Sequence, residues 1–253
     1  MDPPVPAVLT AWLYCRRRSR PLVVDMHTVG FYDPKWRALR RLEMPALRQA
    51  ASNVVTNAEL AGRVRAWGCP VAILTDPLPM PPDLSGVEPE PGTATIIATF
   101  SKDEPITLLP EVASALRDVR FFVTGRPRLD TTTWPANLVA TGFLSDTDFW
   151  RRLAASAVIV VLTKRPNTLL SGAYEALSLR SPLVVSDHAV LREYFEDAVV
   201  YVHDDVAGIA AGVREALART AELAERSAAL AARREAEWAS TAERLLAVVR
   251  GPR

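Results

Sequence analysis

The chain has 253 residues, 49% of them hydrophobic, with 30 Lys and Arg against 29 Asp and Glu. That length corresponds to one or two domains of roughly 150 residues, and the apolar fraction supports a buried core rather than disorder. The charge balance excludes a duplex nucleic-acid binder, which carries a basic excess; two cysteines, Cys15 and Cys69, and three scattered histidines exclude a disulfide scaffold and a Cys- or His-rich metal centre.

From the N-terminus, Pro6–Cys15 is apolar, but its basic residues Arg16, Arg17, Arg18 and Arg20 follow it instead of preceding it. A secretory signal has the reverse order, and Tyr14 ahead of Cys15 spoils a lipoprotein cleavage site. The reading is a buried helix over Val5–Arg18 in a cytoplasmic protein. Arg16–Arg20 with Lys35, Arg37, Arg40 and Arg41 fit a solvated helix face, or a peripheral contact with anionic lipid or a polyprenyl-phosphate acceptor at the inner face of a membrane. Ala157–Leu162, among the longest apolar runs, is far shorter than the ~20 residues of a membrane-spanning helix. Only Lys35, Lys102 and Lys164 are lysines, which with abundant Ala, Val and Pro points to a GC-rich bacterial genome.

Strands are predicted over Leu22–Asp25, Asn53–Thr56, Val71–Leu74, Thr95–Phe100, Val119–Thr124, Leu138–Thr141, Val158–Leu162, Leu183–Ser186 and Val199–Val202. Helices are predicted over Pro34–Ala50, Ala58–Trp67, Glu104–Leu116, Asp146–Ala155, Gly172–Leu179, Val190–Phe195 and Val206–Ala218, with a long Ala/Glu/Arg-rich helix after Arg219. This alternation implies parallel sheets covered by helices on both faces. Val158–Leu162 is apolar throughout, as a doubly buried parallel strand must be. Prolines 77, 79, 81, 82, 89 and 91 remove amide donors and mark a linker. The expected organisation is an incomplete Rossmann-like block over 1–75, a linker over 76–92, a complete doubly wound domain over 93–218, and a C-terminal helix over 219–253 packing back on the body. The first block has three predicted strands, about half of a six-stranded doubly wound domain. A truncated product, a misplaced start or a chain completed by a partner would account for that, and unpaired edges predict self-association.

In open α/β sheets ligands bind beyond the carboxyl ends of the strands. Four loops of the second block are expected there. Ser101-Lys102-Asp103-Glu104-Pro105 offers exposed amides and Lys102 to an anion. Gly125-Arg126-Pro127 turns sharply and places Arg126 toward the cleft. Gly142-Phe143-Leu144-Ser145 lets main chain approach a flat ring. The fourth loop, Lys164 to Leu170, leads into a helix opening near Ser171-Gly172, whose amides are suited to a diphosphate. Glu175, about one turn further on, is placed to accept hydrogen bonds from vicinal hydroxyls. No G-x-G-x-x-G opens a helix after a strand, so a dinucleotide-dependent dehydrogenase is not expected.

This last segment resembles the donor-binding motif of retaining GT-B glycosyltransferases of family 4. There, two glutamates eight positions apart bracket a glycine-bearing loop, followed by a helix and a G-x-P-V-V-x-S-D strand. Glu175 matches the second glutamate and Ser181-Pro182-Leu183-Val184-Val185-Ser186-Asp187 the strand, while Asn167 stands in the first glutamate's place. Asn137–Leu153 and Asp187–Val202 resemble flanking blocks of the same family. Val23-Val24-Asp25-Met26-His27-Thr28, and Val54-Val55-Thr56-Asn57 with Ala66-Trp67-Gly68, resemble its first domain, also in the version of β-mannosyltransferases that build lipid-linked oligosaccharides.

The resemblance implies an α/β, GT-B-like fold and transfer of a hexose from a nucleoside-diphosphate sugar to a hydroxyl of a glycan, glycolipid or polyprenyl-linked sugar, with no cofactor and no metal. It assigns Lys102 and Arg126 to the diphosphate beside the amides of Thr168, Leu169, Leu170, Ser171 and Gly172. It assigns Glu175 to the ribose, Gly142 and Phe143 to the base, Asn167 to the transferred hexose and His27 to the donor sugar near the reacting centre. Asn167 keeps hydrogen bonding but not charge, so the alternative is an impaired nucleotide-sugar-binding module or one subunit of a two-chain transferase.

Overall fold

The computed structural model describes residues 5–32 and 34–250; the side chains of Val29 and of residues 34–38, Lys35 and Arg37 among them, lie outside the described residues. The chain divides into two units, Met1–Pro77 with Arg234–Arg253, and Leu78–Arg233.

The first unit holds α1 (Val5–Arg17), β1 (Val23–Asp25), α2 (Thr28–Tyr32), α3 (Pro34–Gln49), β2 (Ser52–Val55), α4 (Ala58–Ala66) and β3 (Val71–Ile73). Its three strands are parallel in the order β1-β2-β3, with Val24 opposite Asn53 and Val54 opposite Ala72. Asn57 starts α4 by accepting the Leu60 amide on Oδ1 at 2.9 Å, satisfying one of the donors that a helix start leaves open. The buried Asn53 side-chain amide donates to Leu47 O and Pro70 O at 2.9 and 2.8 Å, tying the end of α3 to the entrance of β3. Val24, Met26, Phe31, Leu47, Val55, Leu60 and Val64 fill the core of this unit.

The second unit holds β4 (Glu90–Ile96), a tight 3-10 turn at Ile106–Leu108, α5 (Leu109–Ala115), β5 (Arg120–Thr124), β6 (Leu138–Gly142), α6 (Asp146–Ala154), β7 (Ser156–Val161), α7 (Ser171–Ser178), β8 (Leu183–Ser186), α8 (Ala189–Phe195), β9 (Val200–Val202) and α9 (Val206–Ala218). The terminal helix α10 (Thr220–Arg250) belongs to this unit through Arg233 and to the first unit beyond it. The six strands are all parallel, in the order β6-β5-β4-β7-β8-β9. Counted from β4, this is the 3-2-1-4-5-6 order of a doubly wound domain.

Both faces of the sheet are covered, as parallel sheets require. Along β7, Val158 and Val160 join Ile96, Val123, Val112 of α5 and Val213 of α9 on one face. Ile159 and Val161 alternate to the other face, joining Leu153 of α6, Leu177 of α7 and Leu191 of α8. The strand's period of two thus feeds two cores from one six-residue run.

Three elements differ from their predicted positions. The first strand of the second unit spans Glu90–Ile96, not Thr95–Phe100. Pairing begins at Glu90, beside Ser156, and an irregularity in register before Ala94 absorbs Pro91 and Gly92. Ala98 and Phe100 are buried after the strand has ended, and Phe100 adopts φ 58°, which no strand contains. The helix predicted over Glu104–Leu116 begins as a 3-10 turn and becomes α-helical at Leu109. The short α2 had no counterpart in the sequence pattern.

Candidate functional site

The strand order of the second unit reverses between β4 and β7, whose connections leave in opposite directions. In sheets of this kind ligands bind beyond the carboxyl ends of the strands at that point. The loops after β4, β5, β6 and β7 meet there through recorded contacts. The Lys164 amide donates to Asp103 O at 2.7 Å, and Arg165 pairs with the Asp103 carboxylate at 3.0 Å, joining the β4 and β7 exits. The Gly125 amide donates to Gly142 O at 3.1 Å, joining the β5 and β6 exits. A Cβ on Gly125 would lie 2.2 Å from Ala98 O, and one on Gly172 would lie 3.0 Å from Ile97 Cγ2. The first turn of α7 and the turn after β5 therefore both rest on the chain just past β4.

Lys102 and Arg126 are exposed and meet no acidic partner among the described residues. Gly142 is half-buried, and Phe143 is 78% exposed, a large apolar ring left in solvent beside it. Asn167 and Thr168 are half-buried, and the Thr168 hydroxyl is buried without a hydrogen-bond partner. Leu169 and Leu170 are half-buried and pack against the core on the α7 face. Leu170 is the N-cap of α7 and supplies no side-chain cap. Asn57, Ser145 and Asp205 do cap α4, α6 and α9. Leu170 O takes the amides of Ala173 and Tyr174, leaving those of Ser171 and Gly172 without a main-chain partner among the described residues.

Glu175 lies one turn into α7, half-buried. Burial pushes its carboxyl above the ordinary value, and no cation or hydrogen-bond donor among the described residues lowers it. A carboxylate this desolvated and without a partner is costly in the ligand-free protein. In the first unit, His27 stands just beyond β1 and its Nε2 lies 3.0 Å from Asp25 Oδ2.

The β4 exit loop differs from expectation. Two of its amides are already taken: that of Ser101 by the Glu104 carboxylate and that of Glu104 by Ser101 O. The Glu104 carboxylate accepts the Thr99 amide at 3.0 Å, the Thr99 hydroxyl at 2.8 Å and the Ser101 amide at 3.1 Å. The loop thus offers the Lys102 side chain, on a backbone held by its own carboxylate. Ser101 and Glu104 carry the S-x-x-E spacing of a capping box, a signal sufficient to find this role. Glu104→Ala is expected to cost about 1–2 kcal/mol, read as a lower melting temperature and faster hydrogen exchange at the Thr99 and Ser101 amides. Ser186, Asp204 and His188 form a second support. The Thr163 amide donates to Ser186 Oγ at 2.8 Å, Ser186 Oγ donates to Asp204 at 2.7 Å, and His188 Nε2 donates to Thr163 O at 2.7 Å. Among the described residues, no group of three or more His, Cys, Asp and Glu is placed to hold a metal ion.

Neither a protein-family model nor a curated protein matches this sequence. Solved structures match the fold. Anabaena HepE in complex with UDP gives a TM-score of 0.74 at 14% identity, covering 96% of this chain and 76% of that one. HepE in complex with UDP-glucose gives 0.70 at 13% identity, over 96% and 76%. Sucrose-phosphate synthase from Thermosynechococcus elongatus gives 0.65 at 15% identity, over 94% and 72%. At these identities the likeness is one of fold: the chain has a GT-B-like α/β fold spanning about three quarters of those chains, with a six-stranded Rossmann-like unit, a three-stranded one and a C-terminal helix.

Proposed function

We propose that this protein is a glycosyltransferase that moves a hexose from a nucleoside-diphosphate sugar to an acceptor hydroxyl, with retention at the anomeric carbon. The observation that carries this reading is Glu175, a half-buried carboxylate without a partner among the described residues, one turn into a helix whose start has no side-chain cap, at the switch point of a doubly wound sheet. Vicinal ribose hydroxyls supply the donors that this carboxylate lacks. HepE, similar in fold, binds UDP and UDP-glucose, which makes uridine nucleotides the first to test. The resemblance to family 4 and to β-mannosyltransferases of lipid-linked oligosaccharides extends the reading to a glycan or lipid-linked acceptor and to a cytoplasmic protein of polysaccharide biosynthesis needing no metal.

In this reading the anomeric carbon–oxygen bond to the diphosphate breaks as the acceptor oxygen bonds to that carbon from the same face, and the acceptor's hydroxyl proton passes to the departing diphosphate oxygen. Charge builds on the departing diphosphate. The amides of Ser171 and Gly172 and the side chains of Lys102 and Arg126 stabilise it, in positions set before the reaction begins. Phe143 stacks on the base beside Gly142, Asn167 binds hydroxyls of the hexose, and His27 is the first unit's candidate for the reacting centre.

A second reading, a binding module or one subunit of a two-chain transferase, draws on two observations. Asn167 carries no charge where the family motif has a carboxylate. β1 and β3 each have one edge unpaired among the described residues, an invitation to a further strand. Thermal unfolding with UDP, GDP and their sugars tests both. Ligand at 100 times its Kd adds about 2.7 kcal/mol, a rise of about 5–10 °C for a unit of this size. No rise with any nucleotide overturns the donor site. A rise without sugar transfer or donor hydrolysis favours the second reading over the first.

A further inference from the structure

We infer that the α1–α3 face of the first unit docks on an anionic lipid bilayer. No acidic residue lies between Val5 and Val24, and Arg16, Arg17, Arg18 and Arg20 close that segment. All four are exposed. Some arginines elsewhere are paired, Arg63 with Glu59, Arg214 with Asp118, Arg226 with Asp197 and Arg233 with Glu196, and exposed ones such as Arg126 are not, but nowhere else do four exposed arginines fall within five consecutive residues. These four meet no acidic side chain among the described residues; Arg16 instead lies over the Trp12 ring, 5.8 Å from its centroid.

Large apolar side chains stand in solvent among these charges. Leu13 is 44% and Tyr14 61% exposed. On α1 they precede Arg16, Arg17 and Arg18 by three and four residues, the spacing of neighbours on one helix surface. Trp12 Nε1 donates to Gln49 Oε1 at 3.3 Å, setting α1 beside the end of α3. Leu42, 58% exposed, lies two turns before Gln49 on the same side of α3, next to the exposed Arg41. Arginine with Leu and aromatic residues on one surface is the composition of an interfacial segment. The guanidinium fork matches lipid phosphates, and the apolar side chains find a partner in the acyl boundary that water denies them. A nucleic-acid backbone would take the charges but offers nothing to Leu13 and Leu42, and the chain as a whole is close to neutral. This inference does not depend on the donor site.

The test is co-sedimentation of the full chain with vesicles of phosphatidylcholine, alone or with a quarter of phosphatidylglycerol. The protein is expected on the anionic vesicles only, and less so as salt rises. Arg16→Glu with Arg18→Glu and Arg20→Glu is expected to weaken the partition at least about 100-fold. Leu13→Ser with Leu42→Ser, which keeps every charge, is expected to weaken it about tenfold. The melting temperature without ligand, measured on the same variants, is expected to stay within about 2 °C of the parent, which separates loss of docking from loss of fold whether or not nucleotide binds. Equal binding to neutral vesicles, indifference to either set of substitutions, or displacement of the protein from anionic vesicles by duplex DNA at the same charge concentration would overturn the inference.

Discussion

Glu175→Gln is expected to raise the melting temperature of the ligand-free protein and to remove most of its response to nucleotide sugar. The first half follows from linkage. Burial raises the Glu175 carboxyl above its ordinary value, so the folded chain holds that proton more tightly than the unfolded chain does. Stability then falls as pH rises from the unfolded value through the raised folded one, and the whole cost is present above that interval. Glutamine has the same shape and no charge, so it lifts the cost. The dome of stability against pH loses its decline across that interval in the variant, and the gain is greatest at neutral pH.

The second half follows from the hydrogen bonds that the proposed donor site would give the carboxylate to accept. Bonds to a charged acceptor contribute about 1.5–3 kcal/mol, and glutamine offers one acceptor oxygen without charge. The dissociation constant of the cognate nucleotide should rise about 10- to 100-fold, measured by titration calorimetry. A residue that merely packs α7 would show neither effect, and one that merely stabilises the fold would show a lower melting temperature. A variant that melts lower than the parent and binds nucleotide equally well ends the donor-site reading. Opposite signs in stability and binding are what a site kept unsatisfied for its ligand should give.

The parallel sheet of the second unit was legible because its strands are apolar on both faces: Val158–Leu162 and Leu183–Ser186 admit no other reading than doubly buried strands. The helix starts were legible where a polar cap precedes them, as at Ser145 and Asp205. The first strand of that unit was displaced because two physical signals conflict there. Pro89, Pro91 and Gly92 read as linker, yet parallel pairing with β7 outweighs the missing amide of Pro91. Ala98 and Phe100 read as strand, yet they join the core from the segment that follows the strand's end. The switch point itself followed from strand order, which alternation implies but no local residue states.

The partners within the site were less legible. Lys102 drew attention by its charge, whereas the groups that hold its loop, Glu104 and Asp103, look like ordinary surface acids in sequence. The bonds from Glu104 to Thr99 and Ser101 are local and had a spacing signal. The pair of Asp103 with Arg165 joins residues far apart in the chain and had none. The α1–α3 surface shows a third case. Its charge run was visible at once, but a solvated helix face and a docking face have the same sequence. Only the exposure of Leu13, Tyr14 and Leu42 and the lack of acidic partners distinguish them.

Gly125→Ala is expected to be among the most damaging single-methyl changes at the site. Gly125 adopts φ 91°, where an L-residue is strained by about 1–3 kcal/mol. The added Cβ would also stand 2.2 Å from Ala98 O and 3.1 Å from Ala98 C. Those are backbone atoms, so no change of rotamer relieves the clash, and overpacking of this kind costs about 1–3 kcal/mol more. Ala98 cannot retreat freely, because its amide donates to Thr124 Oγ1 across the same two strands at 3.3 Å. The sum, about 2–6 kcal/mol, corresponds to a fall of about 5–20 °C in melting temperature. Gly142→Ala is the control. Gly142 also has positive φ, 72°, but nothing lies within 4 Å of its Cβ position, so it carries the backbone strain without the collision. The expected order is Gly125→Ala far below Gly142→Ala, itself modestly below the parent. Well below its lowered melting point, Gly125→Ala should still bind nucleotide poorly, because spreading the β4 and β5 exits moves Lys102 and Arg126 together. If Gly125→Ala instead melts with Gly142→Ala and binds nucleotide as the parent does, the close approach of those two exits is not what positions the cations.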